Sequence, residues 1–138
     1  MGESRTASAS LGLLVGRVEH RMSRRVEAAL GGPTLEQWRV LDLLSDGEGH
    51  PMTEIATHAM VPPPTLTKIV DRLIESTLVY RRPDEADRRR ILVFLSERGQ
   101  EEHDTLAPRV ALAEQDVVAD LDQADLARLT DLLERLSR

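Results

Sequence analysis

The densest reactive chemistry in this chain is the run Arg88-Arg89-Arg90, set in a polar loop with Asp84, Glu85 and Asp87. Guanidinium groups do not make or break bonds at neutral pH; they hold planar, bidentate hydrogen bonds to phosphate and carboxylate oxygens. A second set lies upstream: Pro64, Thr65, Thr67, Lys68 and Arg72, which a helix would place on an outer face. Threonines suit base edges and the thymine methyl, while Lys and Arg suit guanine or phosphate. Both sets point to a nucleic acid rather than to a small substrate.

The elements that must position these residues follow from the apolar pattern. Leu78–Tyr80 and Ile91–Leu95 flank the arginine loop, and Pro83-Asp84 opens a turn. The stretch reads as a β-hairpin whose cationic tip suits a phosphate backbone or a minor groove. A lone hairpin has too little core to stand in water, so it must lean on helices. Leu11, Leu14, Val15, Val18, Met22, Val26 and Leu30 mark an amphipathic first helix, with Arg17, Arg21, Arg24 and Arg25 opposite and Gly31-Gly32-Pro33 as its stop. Thr34 and Gln37 fit a capping box for a second helix to about Ser45 that buries Leu35, Trp38, Leu41 and Leu44. Thr53 is expected to cap a short third helix, and Pro63 to open a fourth with Leu66, Ile69, Val70 and Leu73 inside. A short helix, a tight turn and a longer helix with a polar outer face outline a helix-turn-helix. Ser96 begins a long helical stretch in which Pro108 predicts a kink or break, and Asp122 caps a last helix carrying Leu126, Leu129, Leu133 and Leu136.

The 138 residues suit a single domain. A net charge of −6 argues against a polyanionic partner only until its distribution is read. Residues 61–98 hold eight basic and six acidic side chains, while residues 99–138 hold four and ten. The acidic surplus therefore belongs to a separate face, and screening keeps it from cancelling a local basic contact. The absence of cysteine fits a reducing cytoplasm, and no apolar run reaches membrane-spanning length. No Ser/His/Asp constellation and no phosphate-binding glycine loop suggests an enzyme, and no cofactor is implied. His20, His50, His58 and His103 lack the His–His spacing of a helical metal site and read as surface histidines. Residues 1–10 read as a disordered polar tail. Apolar stripes at both chain ends exceed what one small lobe can bury, which points to a homodimer.

Thr53-Glu54-Ile55-Ala56, Thr65-Leu66-Thr67-Lys68-Ile69-Val70-Asp71-Arg72-Leu73, Leu78-Val79, Arg82-Pro83-Asp84, Asp87-Arg88-Arg89 and Leu95-Ser96-Glu97-Arg98-Gly99 occur in that order. Together they resemble the MarR family, the multiple-antibiotic-resistance regulator type of bacterial winged helix-turn-helix repressor. Leu35-Glu36-Gln37-Trp38-Arg39-Val40-Leu41 is similar to that family's second helix, and the likeness covers roughly residues 11–137. The resemblance implies an α+β, mostly helical fold with six helices and a two- or three-stranded wing. It implies one domain over 11–138, with 34–98 as the DNA-binding lobe and 11–31 and 99–138 as dimerisation helices. The recognition helix Pro63–Glu75 is then expected in a major groove of double-stranded DNA and the wing Pro83–Arg90 in the adjoining minor groove. Asp87 would brace an arginine, and Arg88 or Arg89 would enter the groove.

The same resemblance implies an effector-responsive repressor that binds a pseudo-palindromic operator as a dimer. Arg17, His20, Arg21 and Trp38 are the residues it suggests for a small-molecule effector, although the arginines equally suit solvent, dimer or DNA-backbone contacts. A winged-helix protein-interaction module without specific DNA binding is the alternative. Two departures stand out. Pro62-Pro63-Pro64 removes backbone donors and a capping hydroxyl from the start of the recognition helix. Thr77 stands where the family commonly has a glycine before Leu-Val, so that helix is expected to end differently.

Overall fold

In the computed structural model, which describes residues 9–138, six helices and a small sheet follow in chain order. They are α1 (Leu11–Leu30), α2 (Leu35–Leu44), β1 (His50–Pro51), α3 (Met52–Ala59), α4 (Pro63–Glu75), β2 (Val79–Pro83), β3 (Ile91–Leu95), α5 (Glu97–Val117) and α6 (Gln123–Leu136). Most of the tail expected over residues 1–10 lies outside the described residues. Ser10 itself is the N-cap of α1, its hydroxyl accepting from the Leu13 N–H at 3.2 Å.

Helix α2 organises the molecule because its two faces enter two cores. Val40, Leu41 and Leu44 join Ile55, Ala59, Leu66, Val70, Val79 and Val93 in a core made by α2, α3, α4 and the sheet. Leu35 and Trp38 turn the other way, onto Val26 and Leu30 of α1 and Leu106, Val110 and Ala113 of α5. The first core defines a helix-turn-helix lobe and the second a helical arm. The capping box that starts α2 is complete, with Gln37 N–H donating to Thr34 Oγ1 at 3.1 Å and Thr34 N–H to Gln37 Oε1 at 3.0 Å.

The sheet is antiparallel in the order β1-β3-β2. Tyr80 pairs with Phe94 and Arg82 with Leu92, whereas Val79 pairs with Leu95 and Arg81 with Val93. Because Val79 and Val93 are buried, strand alternation turns Arg81 toward the lobe and Tyr80, Arg82 and Phe94 to the outside. Gly99, at the start of α5, meets the Leu78 carbonyl so closely that a Cβ there would overlap it, which locks the sheet to the arm.

Four expectations are corrected. Pro51, not Thr53, is the N-cap of α3, because His50–Pro51 joins the sheet and its extended backbone leads straight into the helix. Helix α5 runs unbroken through Pro108; the proline is exposed, and burial of Leu106 and Val110 beside it holds the helix together despite the missing N–H. Thr77 takes the left-handed conformation itself, at φ 61°. Helix α4 therefore ends as a glycine-terminated helix would, with Leu78 N–H on the Leu73 carbonyl and Thr77 N–H on the Ile74 carbonyl, both at 2.9 Å. Finally, His50 and His103 are not surface histidines, since their side chains are only 12% and 14% exposed.

Candidate nucleic-acid interface

Helix α4 sets its inner face, Leu66, Val70 and Leu73, in the lobe core and leaves Pro64, Thr65, Thr67, Lys68, Asp71 and Arg72 exposed. Pro62 is its N-cap without a side-chain hydrogen bond, and prolines fill the first turn, where backbone donors have no helical partner. The Thr67 hydroxyl donates to the Pro63 carbonyl at 3.2 Å, so it is partly occupied by its own helix. Lys68 and Arg72 stand four residues apart, one above the other on that face.

Two aspartates shape the tip of the wing. The Asp84 N–H donates to the Arg90 carbonyl at 2.8 Å, the Arg90 N–H to the Asp87 carbonyl at 2.9 Å, and the Asp84 carboxylate accepts from the Ala86 N–H at 3.0 Å. Asp87 Oδ1 accepts from the Arg89 N–H at 3.2 Å and lies 3.6 Å from Arg89 Nε, while Arg90 Nη1 lies 3.9 Å from Asp84 Oδ2. The loop is thus pinned through its backbone, yet the Arg89 side chain is 94% exposed and free to reach outward. Arg88 and Arg90 are exposed beside it.

Helix and wing are tied together by a contact not anticipated from the sequence. Arg81 Nη2 of β2 meets Asp71 Oδ1 of α4 at 2.7 Å. Strand alternation hints that Arg81 points inward and needs a carboxylate, but no local pattern names Asp71 as its partner. A second support lies behind the sheet. His50 Nε2 is 2.8 Å from Asp46 Oδ2, and its Nδ1 hydrogen-bonds Glu54 of α3. Burial alone would lower the His50 pKa, but hydrogen bonds and charge from Glu54 and Asp46 outweigh it and hold the imidazolium above its ordinary value. Burial likewise pushes Asp46 up, and the Glu48 N–H and His50 together bring it below the usual carboxylate range.

The four residues considered for an effector do not come together within one chain. Trp38 is buried, stacked on His103 with ring centroids 5.0 Å apart and planes 5° from parallel, and His103 Nε2 lies 2.8 Å from Asp42 Oδ1. It lines a cavity of about 190 Å³ with Met22, Val26, Arg39, Asp42 and Glu114. Burial first, and the Asp42 charge second, raise the Glu114 pKa. Arg17, His20 and Arg21 are exposed along α1, where His20 and Arg21 share a shallow surface with Arg24 and Arg25. Among the described residues, no group of three His, Cys, Asp or Glu side chains is arranged to hold a metal ion.

A two-helix reader with an exposed polar face, followed by an arginine-tipped wing braced against it, defines a winged helix-turn-helix DNA-binding protein. Comparison with known proteins carries this further. The MarR family pattern matches residues 34–91. The chain is 32% identical over 127 residues to the HTH-type transcriptional repressor IacR of Pseudomonas putida, covering 90% of this chain and 71% of that one. It superposes on CouR of Rhodococcus jostii bound to p-coumaroyl-CoA with a TM-score of 0.87 at 25% identity, covering 99% and 96% of the two chains. The Mycobacterium tuberculosis MarR family protein Rv2887 in complex with salicylic acid gives 0.77 at 28% identity, covering 95% and 98%. The chain belongs to the MarR family of winged helix-turn-helix transcriptional regulators.

Proposed function

We propose that this protein represses transcription by binding a pseudo-palindromic operator as a homodimer, and that a small molecule releases it. The observation that carries this reading is the Asp71–Arg81 pair, which fixes the wing at a set angle to the exposed face of α4. Thr65, Thr67, Lys68 and Arg72 then read the major groove, and Arg88 or Arg89 the adjoining minor groove. Two-fold symmetry would place the half-sites about one helical turn apart, ~34–36 Å. Support for the dimer comes from the arm, where Leu14, Val15 and Val18 of α1 and Leu133 and Leu136 of α6 are exposed. Between the two helices runs an apolar groove of about 400 Å³, a surface of the kind a second copy covers.

The test is a binding titration of the full chain against duplexes from the region upstream of its own coding sequence, at several salt concentrations. Binding to one duplex well above random sequence, lost on Arg89→Ala, supports the reading. No duplex binding even at low salt would favour a protein-interaction module instead. For the effector, the cavity beside Trp38 is the place to look, because Met22, Val26 and Trp38 give it apolar walls and Arg39 a cation; solved relatives include proteins in complex with salicylic acid and p-coumaroyl-CoA. Trp38 is the only tryptophan, so titration with salicylate reports directly through its fluorescence. Quenching accompanied by release of the duplex is the expected result, and quenching without release would remove the regulatory role.

A further inference from the structure

We propose that Arg82 is a further DNA-contacting residue, a phosphate clamp on the outer face of the wing held in place by the stacked rings of Tyr80 and Phe94. The inference rests on the wing lying in a minor groove. The chain holds one Trp, one Tyr and one Phe, and two of these three form a cross-strand pair on the outside of the hairpin. Their centroids are 5.5 Å apart and their planes 13° from parallel. The platform is built rather than incidental: Phe94 lies against the bare backbone of Gly49, where any Cβ would overlap its ring. The Arg82 guanidinium sits 5.3 Å from the Tyr80 centroid and 5.8 Å from that of Phe94.

What separates Arg82 from its neighbours is the kind of group that holds it. Arg81 is paired with Asp71, Arg89 lies by Asp87 and Arg90 by Asp84. Among the described residues Arg82 has no carboxylate within ion-pair distance; its partners are neutral rings. A carboxylate orients a guanidinium but offsets part of its charge, whereas an aromatic face orients it and leaves the charge whole. Pre-orientation also reduces the side-chain freedom lost on binding. A hairpin whose tip enters a minor groove turns one sheet face toward each phosphate strand. Arg81, on the inner face, is spent on the recognition helix. Arg82, on the outer face and next to the tip, is left for the far strand.

The experiment compares wild type, Arg82→Ala and Arg89→Ala by titration of the full chain against its duplex over a range of KCl concentrations. Arg82 is exposed, so its removal leaves the thermal midpoint in place. Loss of one phosphate contact from each protomer should weaken binding at least severalfold and make the slope of log K against log salt shallower by about 1.8 for the dimer, about 0.9 per contact. If Arg89→Ala shows that change and Arg82→Ala does not, the proposal is refuted while the wing reading stands. If neither shows it, the wing reading itself fails. The platform is tested by Tyr80→Leu, which should weaken wild type more than it weakens Arg82→Ala; equal effects in the two backgrounds would overturn the role given to the rings.

Discussion

In the helix-turn-helix lobe, Leu44, Ile55, Leu66, Val70 and Val93 are fully buried, whereas α6 carries five leucines and buries none of its residues. Helix α1 shows the same division within its own length, with Val26 and Leu30 buried against α5 while Leu11, Leu14, Val15 and Val18 remain exposed. The lobe is therefore closed by residues of its own chain. The arm is closed only where α1 and α5 meet. In the proposed dimer its remaining apolar surface would form the interface, and in such a molecule the reading head can be stable while the spacing of two heads depends on association.

The contrast is broken most forcefully from inside the lobe. Leu66→Ala removes a fully buried side chain shared by α4 and the rest of the lobe core, and should destabilise the folded state by about 2–5 kcal/mol. The same truncation at Leu136, 77% exposed, should leave the stability of an isolated chain within about 0.5 kcal/mol. Chemical denaturation at low protein concentration checks both, and equal losses would mean that α6 is part of the monomer's core after all.

An opposite experiment attacks the arm and spares the lobe. Leu133→Asp places a charge in the groove between α1 and α6. Sedimentation should report a monomer with unchanged helicity, and operator affinity should fall by roughly a hundredfold because two half-sites are no longer engaged together. A dimer that survives this substitution would show that the exposed stripe serves another purpose.

How much of this was legible beforehand depends on how far along the chain the information lies. Thr34 and Gln37, the apolar stripe of α4 and the strand–loop–strand around Arg88–Arg90 are local, and each formed as its pattern indicates. The contacts between distant segments were not legible: Asp71 with Arg81, Trp38 with His103, Gly49 beneath Phe94. Periodicity tells which side of a strand Arg81 occupies but not which carboxylate awaits it. Local rules also lost to tertiary packing at Pro108 and at Pro51, where the arm core and the third strand decided the outcome. The four residues considered for an effector show the same limit: α2 buries Trp38 and α1 exposes Arg17 and Arg21 as their helical spacing indicates, but spacing does not tell whether the two groups meet within one chain.

A smaller effect within the lobe concerns pH. His50 uses both ring nitrogens, toward Asp46 and Glu54, which only the imidazolium can donate to at once. Its pKa is raised in the folded state, so the folded protein holds this proton more tightly than the unfolded chain. The resulting stability is complete below the ordinary histidine value of 6.5 and is lost as pH rises through the higher folded value. Wild type should therefore exceed His50→Gln in thermal midpoint most clearly at mildly acidic pH, with the gap narrowing above neutrality. A gap that widens with pH would reverse the assignment, and no such slope is expected from α6, which carries no histidine.

The lobe is closed but not free of strain, and Thr77 locates it. Its φ of 61° lies in the left-handed region, where an L-residue with a side chain costs about 1–2 kcal/mol and a β-branched one fits poorly. Thr77→Gly relieves that cost while adding freedom to the unfolded chain, worth about 0.5–1 kcal/mol in the other direction. The net gain should be about 0.5–1 kcal/mol, because the two hydrogen bonds that end α4 and the Ser96 hydroxyl bond to the Thr77 carbonyl use backbone atoms that glycine retains. Thr77→Ala keeps a Cβ in the same conformation and should yield no comparable gain. Only the Thr77 hydroxyl bond to the Ser76 carbonyl is lost in both variants. Destabilisation by glycine, measured as a lower denaturation midpoint, would show that this one bond outweighs the backbone strain, and that the junction between α4 and the wing is held by its side chain.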